Sequence, residues 1–479
     1  MLCFRGNRAA TAHQAGQSSE DGGRALCRAA AVMPLVLFIL AAGANAQPRA
    51  NPLPSSSAHA QSSAQPRGPQ PPAGETEFYL QGEYMLDDAS SQQPPPRFAE
   101  PPSAGDYFRP TWMPCQSLRS NRSLVLGHLW FGMDIMGWST KGVHAPALLT
   151  TNPVGTDIGD AGIAGLGSTS VLFGGEHLHN ELRPGGRLRI GWYFDPNQQS
   201  GLEWHYFDLD GQNIRYDALA ADGSGVLGRP FVDAGTGDNT AVLVAFPAVV
   251  DGEINIRSNL QLTSTGILYH DIFWASPYAK VDYLVGYRHT RLYESLRVDE
   301  SLTYVDDDAG FASGDEVTRR DQFRAINQFD GADLGLRGWW SRNGKLAITG
   351  LAKVAIGAAN KNVVIDGFTT IDSGGSTTTT SGGVLAQPSN IGRRSQQEFA
   401  ALGEVGLGLE WLPVCQCRVS LGYTWLYWSD IARAFDQIDT RVDPNQLAPN
   451  NGGGSRPAFD LQTTSFWAQG LTAGFTYEF

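Results

Sequence analysis

Lysine is nearly missing from this chain. Only five of its 479 residues are lysine, and arginine supplies the rest of the positive charge. Charged residues make up 17% in all, well under the usual quarter, and the formal net charge is −13. A nucleic-acid binder leaves a basic footprint, so that class is excluded. The shortage of charge also argues against a coiled coil or a highly charged disordered chain. Long apolar runs are equally scarce. Apart from residues 29–42, no stretch offers the roughly 20 apolar residues of a membrane helix. If this chain enters a membrane, it does so as strands.

The one apolar run, AAAVMPLVLFILAA, has the length of a signal-peptide core. Arg24 and Arg28 flank it, and Ala44-Asn45-Ala46 supplies a small-x-small cleavage pattern before Gln47. Residues 1–46 therefore read as an export signal. Residues 47–110 hold 13 of the 27 prolines among Ser, Gln and Ala. Such a segment buries too little apolar surface to offset its ordering entropy, so 47–115 is expected to be a disordered periplasmic tether. The remainder, 116–479, is expected to be the folded part.

Glycine is abundant there, 56 residues in the whole chain, and a period of two dominates. In FWAQGLTAGFTYEF, Trp467, Leu471, Ala473, Phe475, Tyr477 and Phe479 share one strand face; Gly470, Thr472, Gly474, Thr476 and Glu478 share the other. Ten such segments can be placed: 124–138, 186–194, 201–210, 253–274, 278–290, 327–340, 345–357, 398–411, 418–428 and 465–479. The connections alternate short and long, the long ones about 35 to 47 residues. Short turns at one end and long loops at the other are the rhythm of an outer-membrane barrel, with the short turns periplasmic. The expected fold is all-β: an antiparallel up-and-down transmembrane barrel of about ten strands. A soluble sandwich needs no such rhythm. Trp340, Trp411, Trp428, Trp467 and Phe479 are assigned to an interfacial aromatic girdle. Phe475, Tyr477 and Phe479 are assigned as the membrane-insertion signal, with outer-membrane lipid and the barrel-assembly machinery as partners.

Alternation sends one set of charged side chains inward: Arg187, Arg189, Glu203, His205, Asp282, Arg288, Asp333, Arg337, Lys345, Lys353, Glu404, Glu410, Arg418 and Glu478. Two outcomes stand open. The charges line a narrow passage for small solutes, or they pair into a plug, since ten strands enclose little space.

The stretches MDIMGWSTKGVHAPALLTTNPVGT, STSVLFGGEHLHNELRPGGRLRIGWYFD, VDYLVGYRHTRLYESLRV, LGYTWLYWSDIARAFDQID and FWAQGLTAGFTYEF resemble the beta-barrel porin-7 family of planctomycete-type bacteria. The resemblance covers most of residues 120–479 and leaves out the Pro-rich segment. It implies an outer-membrane location and porin-like passage of small hydrophilic solutes. The alternative is a structural or adhesive barrel that acts through its external loops without conducting.

Enzymatic and metal chemistry have weaker support. His177 and His179, beside Glu176 and Asn180, lack a recognisable third ligand and read as a loop turn over the barrel mouth. No nucleophile elbow is present, and no catalysis, cofactor or nucleic-acid partner is expected. Three cysteines remain after the signal. Barrel closure allows Cys115 to approach Cys415 or Cys417 at the periplasmic rim, where a disulfide needs Cα atoms about 4.4–6.8 Å apart; the alternative is three unpaired thiols.

Overall fold

The computed structural model describes residues 111–112, 128–414 and 416–479. The expected export signal, nearly all of the expected tether, Cys115 and Cys415 lie outside these residues. Cys417 is half-buried and has no disulfide partner among the described residues. In the described piece at 111–112, Thr111 N–H donates to Pro277 O at 2.9 Å and Trp112 Nε1 to Ser276 O at 2.8 Å.

Ten strands form the wall: β1 Leu129–Thr140, β2 Leu182–Tyr193, β3 Gly201–Ala220, β4 Val250–Ala275, β5 Ala279–Tyr304, β6 Glu316–Trp340, β7 Leu346–Ser373, β8 Gly392–Val414, β9 Cys417–Ala432 and β10 Thr463–Glu478. Each pairs antiparallel with its sequence neighbour, and β1 pairs with β10, so the ring closes. Closure leaves no lipid-facing edge and satisfies the backbone of a membrane span. Among the described residues no helix is long and apolar enough to cross a membrane.

The ten expected segments are all present, but several strands run much further than expected. β4 to β7 have 26, 26, 25 and 28 residues, whereas a tilted transmembrane strand needs about 9–11. Two of the expected long connections therefore shrink to residues 305–315 and 374–391. The cause is a reversal of polarity along each long strand. Near the short turns, β5 turns Val281, Val285 and Tyr287 outward and Asp282 and Arg288 inward. Beyond His289 the phase stays the same but the chemistry swaps: Arg291, Arg297 and Asp299 face out, while Leu292, Leu296, Val298 and Leu302 are buried inside. β4 repeats this, with Ile254, Ile256, Leu260 and Leu262 inside and Glu253, Asn255 and Arg257 outside. The apolar outward stripe on β6, from Ala332 to Trp340, is about one membrane span long.

Glycine permits the wall to curve where this change occurs. A Cβ on Gly357 would lie 2.1 Å from Asp330 O, and one on Gly286 would lie 1.9 Å from Ile267 O. At the loop end, connections 141–181, 221–249 and 433–462 fold back over the barrel. Strands Leu149–Asn152, Ser170–Phe173, Val226–Asp233, Asn239–Ala245 and Arg441–Val442 make a second, smaller sheet there. Leu148, Leu149, Val244 and Phe435 from these loops pack with Ile256, Leu296, Val298 and Phe323 of the wall in one buried core.

Candidate functional site

The short-turn half of the barrel encloses a chamber of about 240 Å³. Twelve of the fourteen residues that alternation sent inward line it: Arg187, Arg189, Glu203, His205, Asp282, Arg288, Arg337, Lys353, Glu404, Glu410, Arg418 and Glu478. Asp333 lies fully buried behind Lys353, 3.4 Å from its Nζ. Lys345 does not belong with them. Its position has inward phase, but it falls in the turn before β7, where the chain has left the wall and the side chain is exposed. Trp428 is likewise no girdle residue. It is buried inside, edge-on to Phe329 at 6.1 Å, because it has inward phase on β9, alternating with the outward Trp425 and Tyr427. Trp340 and Trp411 do face outward, about half exposed.

The chamber charges are paired. Glu404 is the hub, bonded to Arg288 and held 3.1 Å from Lys353 and 3.5 Å from Arg187. Arg337 meets Glu203 at 2.7 Å, and Arg418 meets Glu478 at 2.6 Å and Glu410 at 3.3 Å. Two partners were not foreseen. Asp134 accepts from Arg189 at 2.8 Å, and Lys280 meets Asp282 at 3.1 Å. Asp134 was visible in principle as the lone carboxylate between Met133 and Met136 at inward phase. Lys280 was not, because it stands one residue into its strand beside a turn. Buried charges persist when paired and hydrogen-bonded, and this pairing across strands distant in sequence explains why both signs are interspersed. The ring nitrogens of buried His205 and His270 have no hydrogen-bond partner among the described residues.

Above the chamber the bore is crossed by an apolar layer. Met136, Trp138, Phe207, Leu209, Leu260, Leu262, Leu292, Phe329, Leu402, Leu426, Trp428 and Phe466 form one cluster, each with 1% or less of its surface exposed. Arg187 lies against it, its guanidinium 5.7 Å from the ring centres of both Trp138 and Phe207.

Higher still, ion pairs are set into the loop-end core. Arg433 and Glu294 are both fully buried, 2.7 Å apart, and Glu294 also accepts from Ala434 N–H at 2.7 Å. Burial pushes the Glu294 carboxyl up, but the Arg433 charge and these hydrogen bonds hold it below the usual carboxylate range. His179, expected in a turn over the mouth, is buried there with its Nε2 2.6 Å from Ser258 Oγ. His177 stands edge-on to His144. Among the described residues no group of three or more His, Cys, Asp or Glu is placed to hold a metal. At the opposite end, Asp195 accepts N–H bonds from Asn197, Gln199 and Ser200 in the β2–β3 turn. Partial burial raises its carboxyl pKa, and those bonds outweigh it, leaving it below the ordinary value.

Phe475 on β10 and Phe479 just past its end are exposed, and Tyr477 stands edge-on to Phe479 at 5.0 Å.

No curated protein matches the chain in sequence. Among solved structures, the outer membrane protease OmpT from Escherichia coli aligns over 75% of this chain and 99% of its own, at 11% identity and a TM-score of 0.35. The Pseudomonas putida toluene transporter TodX aligns over 74% and 90%, at 9% identity and 0.22. LpxR from Salmonella typhimurium aligns over 73% and 100%, at 11% identity and 0.17. Likenesses at this level carry no functional information. The sequence family is a different matter: the model of Putative beta barrel porin-7 (BBP7) matches residues 130–479, from the start of β1 through β10, and this chain belongs to that family.

Proposed function

We propose that this outer-membrane barrel is a non-conducting surface protein, a closed cylinder that holds a folded loop-end head outside the cell. The apolar layer carries this reading. Its bulky side chains span the bore from six or more strands and leave no water-exposed surface. Dry, close-packed apolar layers exclude hydrated ions and polar solutes. The charges beneath are mutually paired, which suits a structural plug better than a conduit. The reading assigns the barrel no reaction.

Passage of small hydrophilic solutes is the second reading. The charge-lined chamber at the short-turn, periplasmic end and the family's porin description favour it. It requires the apolar layer to move. Single-channel recording in planar bilayers separates the two. The purified, folded protein is expected to be silent, and a Trp138→Ala, Phe329→Ala double variant to open measurable steps. Stable conductance steps from the unmodified protein would overturn the proposal in favour of passage.

A further inference from the structure

One patch of the outer wall holds more positive charge than its neighbours can pair. Arg257 on β4 lies directly opposite Arg215 on β3 and directly opposite Arg297 on β5, so three arginines stand side by side on the outer face of three strands. Like charges directly opposite each other destabilise a sheet, and a surface built only for solubility intersperses the two signs. Arg324 and Arg320 extend the patch onto β6, opposite Ser295 and Asp299.

Two carboxylates stand among these five guanidinium groups. Asp217 takes Arg215 Nε at 2.7 Å, and Asp299 is shared by Arg297 Nε and Arg320 Nε, each at 2.6 Å. Every one of these bonds uses Nε, the N–H outside the terminal fork that can grip an oxyanion from two sides. Arg257 and Arg324 make no ion pair among the described residues. Arg215 and Arg257 are exposed, and Arg297 is half-buried. A chain of net charge −13 thus gathers a positive surplus on one part of its wall.

Position and surroundings narrow the partner. Arg297 lies eight residues past His289, where the outward stripe of β5 turns polar. At about 3.3 Å per residue and a tilt of about 40°, that is roughly 20 Å beyond the lipid-facing zone, whereas a headgroup layer is about 5–7 Å deep. The patch therefore stands clear of lipid headgroups, in the layer outside them. The outward positions between the arginines are Asn213, Asn255, Asn259, Ser295 and Gln322. Amides and a hydroxyl can meet sugar hydroxyls, and there is no apolar side chain among them for a protein partner to anchor on. Neighbouring strands repeat the guanidinium groups about every 4.8 Å, the scale of one sugar residue.

We propose that this patch binds an acidic polysaccharide of the cell surface. Its sulfate, phosphate or carboxylate groups bridge Arg215, Arg257 and Arg297, and its hydroxyls meet the flanking amides. The proposal rests on the loop-end half standing outside the membrane, and it holds whether or not the bore conducts.

The test uses the full-length protein folded in detergent micelles, with dextran sulfate as probe, uncharged dextran as its neutral counterpart and polyglutamate as an acidic peptide. Titration calorimetry at physiological salt is expected to show saturable binding of dextran sulfate and none of dextran. Arg257→Gln with Arg297→Gln should weaken that binding about fivefold, because two exposed charge pairs are lost. A control pair, Arg342→Gln with Arg441→Gln, removes the same charge from a short turn and a loop and should leave binding within about twofold. Both double variants should keep the heat-modifiable gel shift of the folded barrel. No saturable binding to the unmodified protein, polyglutamate bound as tightly as dextran sulfate, or an equal loss in the control pair would overturn the proposal.

Discussion

The short-turn half of the barrel keeps lipid-compatible side chains outside and ion pairs inside; the loop-end half keeps charges outside and an oily core inside. One backbone pattern serves both. β5 alternates without a break from Ala279 to Tyr304, and only the chemistry of the two faces changes, near His289. Apolar side chains are placed wherever water is absent. In the lower half that is the lipid side, and in the upper half it is the interior. The comparison shows that a barrel wall is neutral about which face is greasy, and that the surrounding medium decides.

The largest expected effect tests the upper half. Arg433→Met leaves Glu294 as an uncompensated charge at 0% exposure, a loss expected to cost about 3–5 kcal/mol. A Glu294→Leu, Arg433→Met double variant should regain much of that, because an apolar pair suits this core. Denaturant unfolding in detergent measures both. If the double variant is no better than the single, the core is not the dry environment described here. The pair also has a pH signature. Glu294 has a lowered folded pKa, so its contribution is complete above the ordinary 4.5 and fades as pH falls through the folded value. The double variant should lose that part of the acid sensitivity.

Next in size is a matched pair of outward substitutions. Leu407→Arg places a cation on the lipid face of β8, where Leu407 is 67% exposed, and should cost about 2–4 kcal/mol in lipid vesicles. Thr318→Arg places the same cation at an exposed position on the outer face of β6 above the switch and should stay within about 0.5 kcal/mol. Equal losses at the two sites would mean that the membrane boundary lies elsewhere.

The smallest effect belongs to the short-turn rim. Asp195→Ala removes the acceptor for three turn N–H groups and should cost about 1 kcal/mol. Because this carboxyl's pKa is lowered in the fold, its stabilisation is present above the ordinary 3.8 and is lost on acidification below it. A wild-type-minus-variant stability difference that shrinks at low pH is the expected result, and a pH-independent difference would assign the loss to the turn's backbone alone.

The ring of ten strands was legible because a period of two survives any change of medium. Strand lengths were not. β7 was expected to end near 357 and continues to Ser373, since Asn360, Lys361 and Asn362 break the greasy phase where the strand leaves the membrane. The chamber shows the same division. Inward phase on single strands identified Glu404, Arg288 and Arg187, but their meeting at one hub depends on how ten strands are staggered around the ring, which no local pattern encodes. Lys345 had the right phase and the wrong height. The apolar layer escapes the same reading for a related reason: Trp138, Phe329 and Trp428 sit at inward positions, and only the charged inward positions are read as lining the bore.

The pairing of β1 with β10 runs in register from Trp130 opposite Glu478 to Thr140 opposite Ala468. It has a consequence for the order of manufacture. Every other wall strand finds its partner among segments synthesised next to it, but β1 waits for a strand more than 300 residues downstream. Until then its backbone donors and acceptors form an open edge, the kind that recruits foreign strands. The cylinder is therefore finished in a single late act, and a nascent chain halted anywhere before β10 remains a curled ribbon that needs a chaperone to keep its first edge from joining the wrong partner.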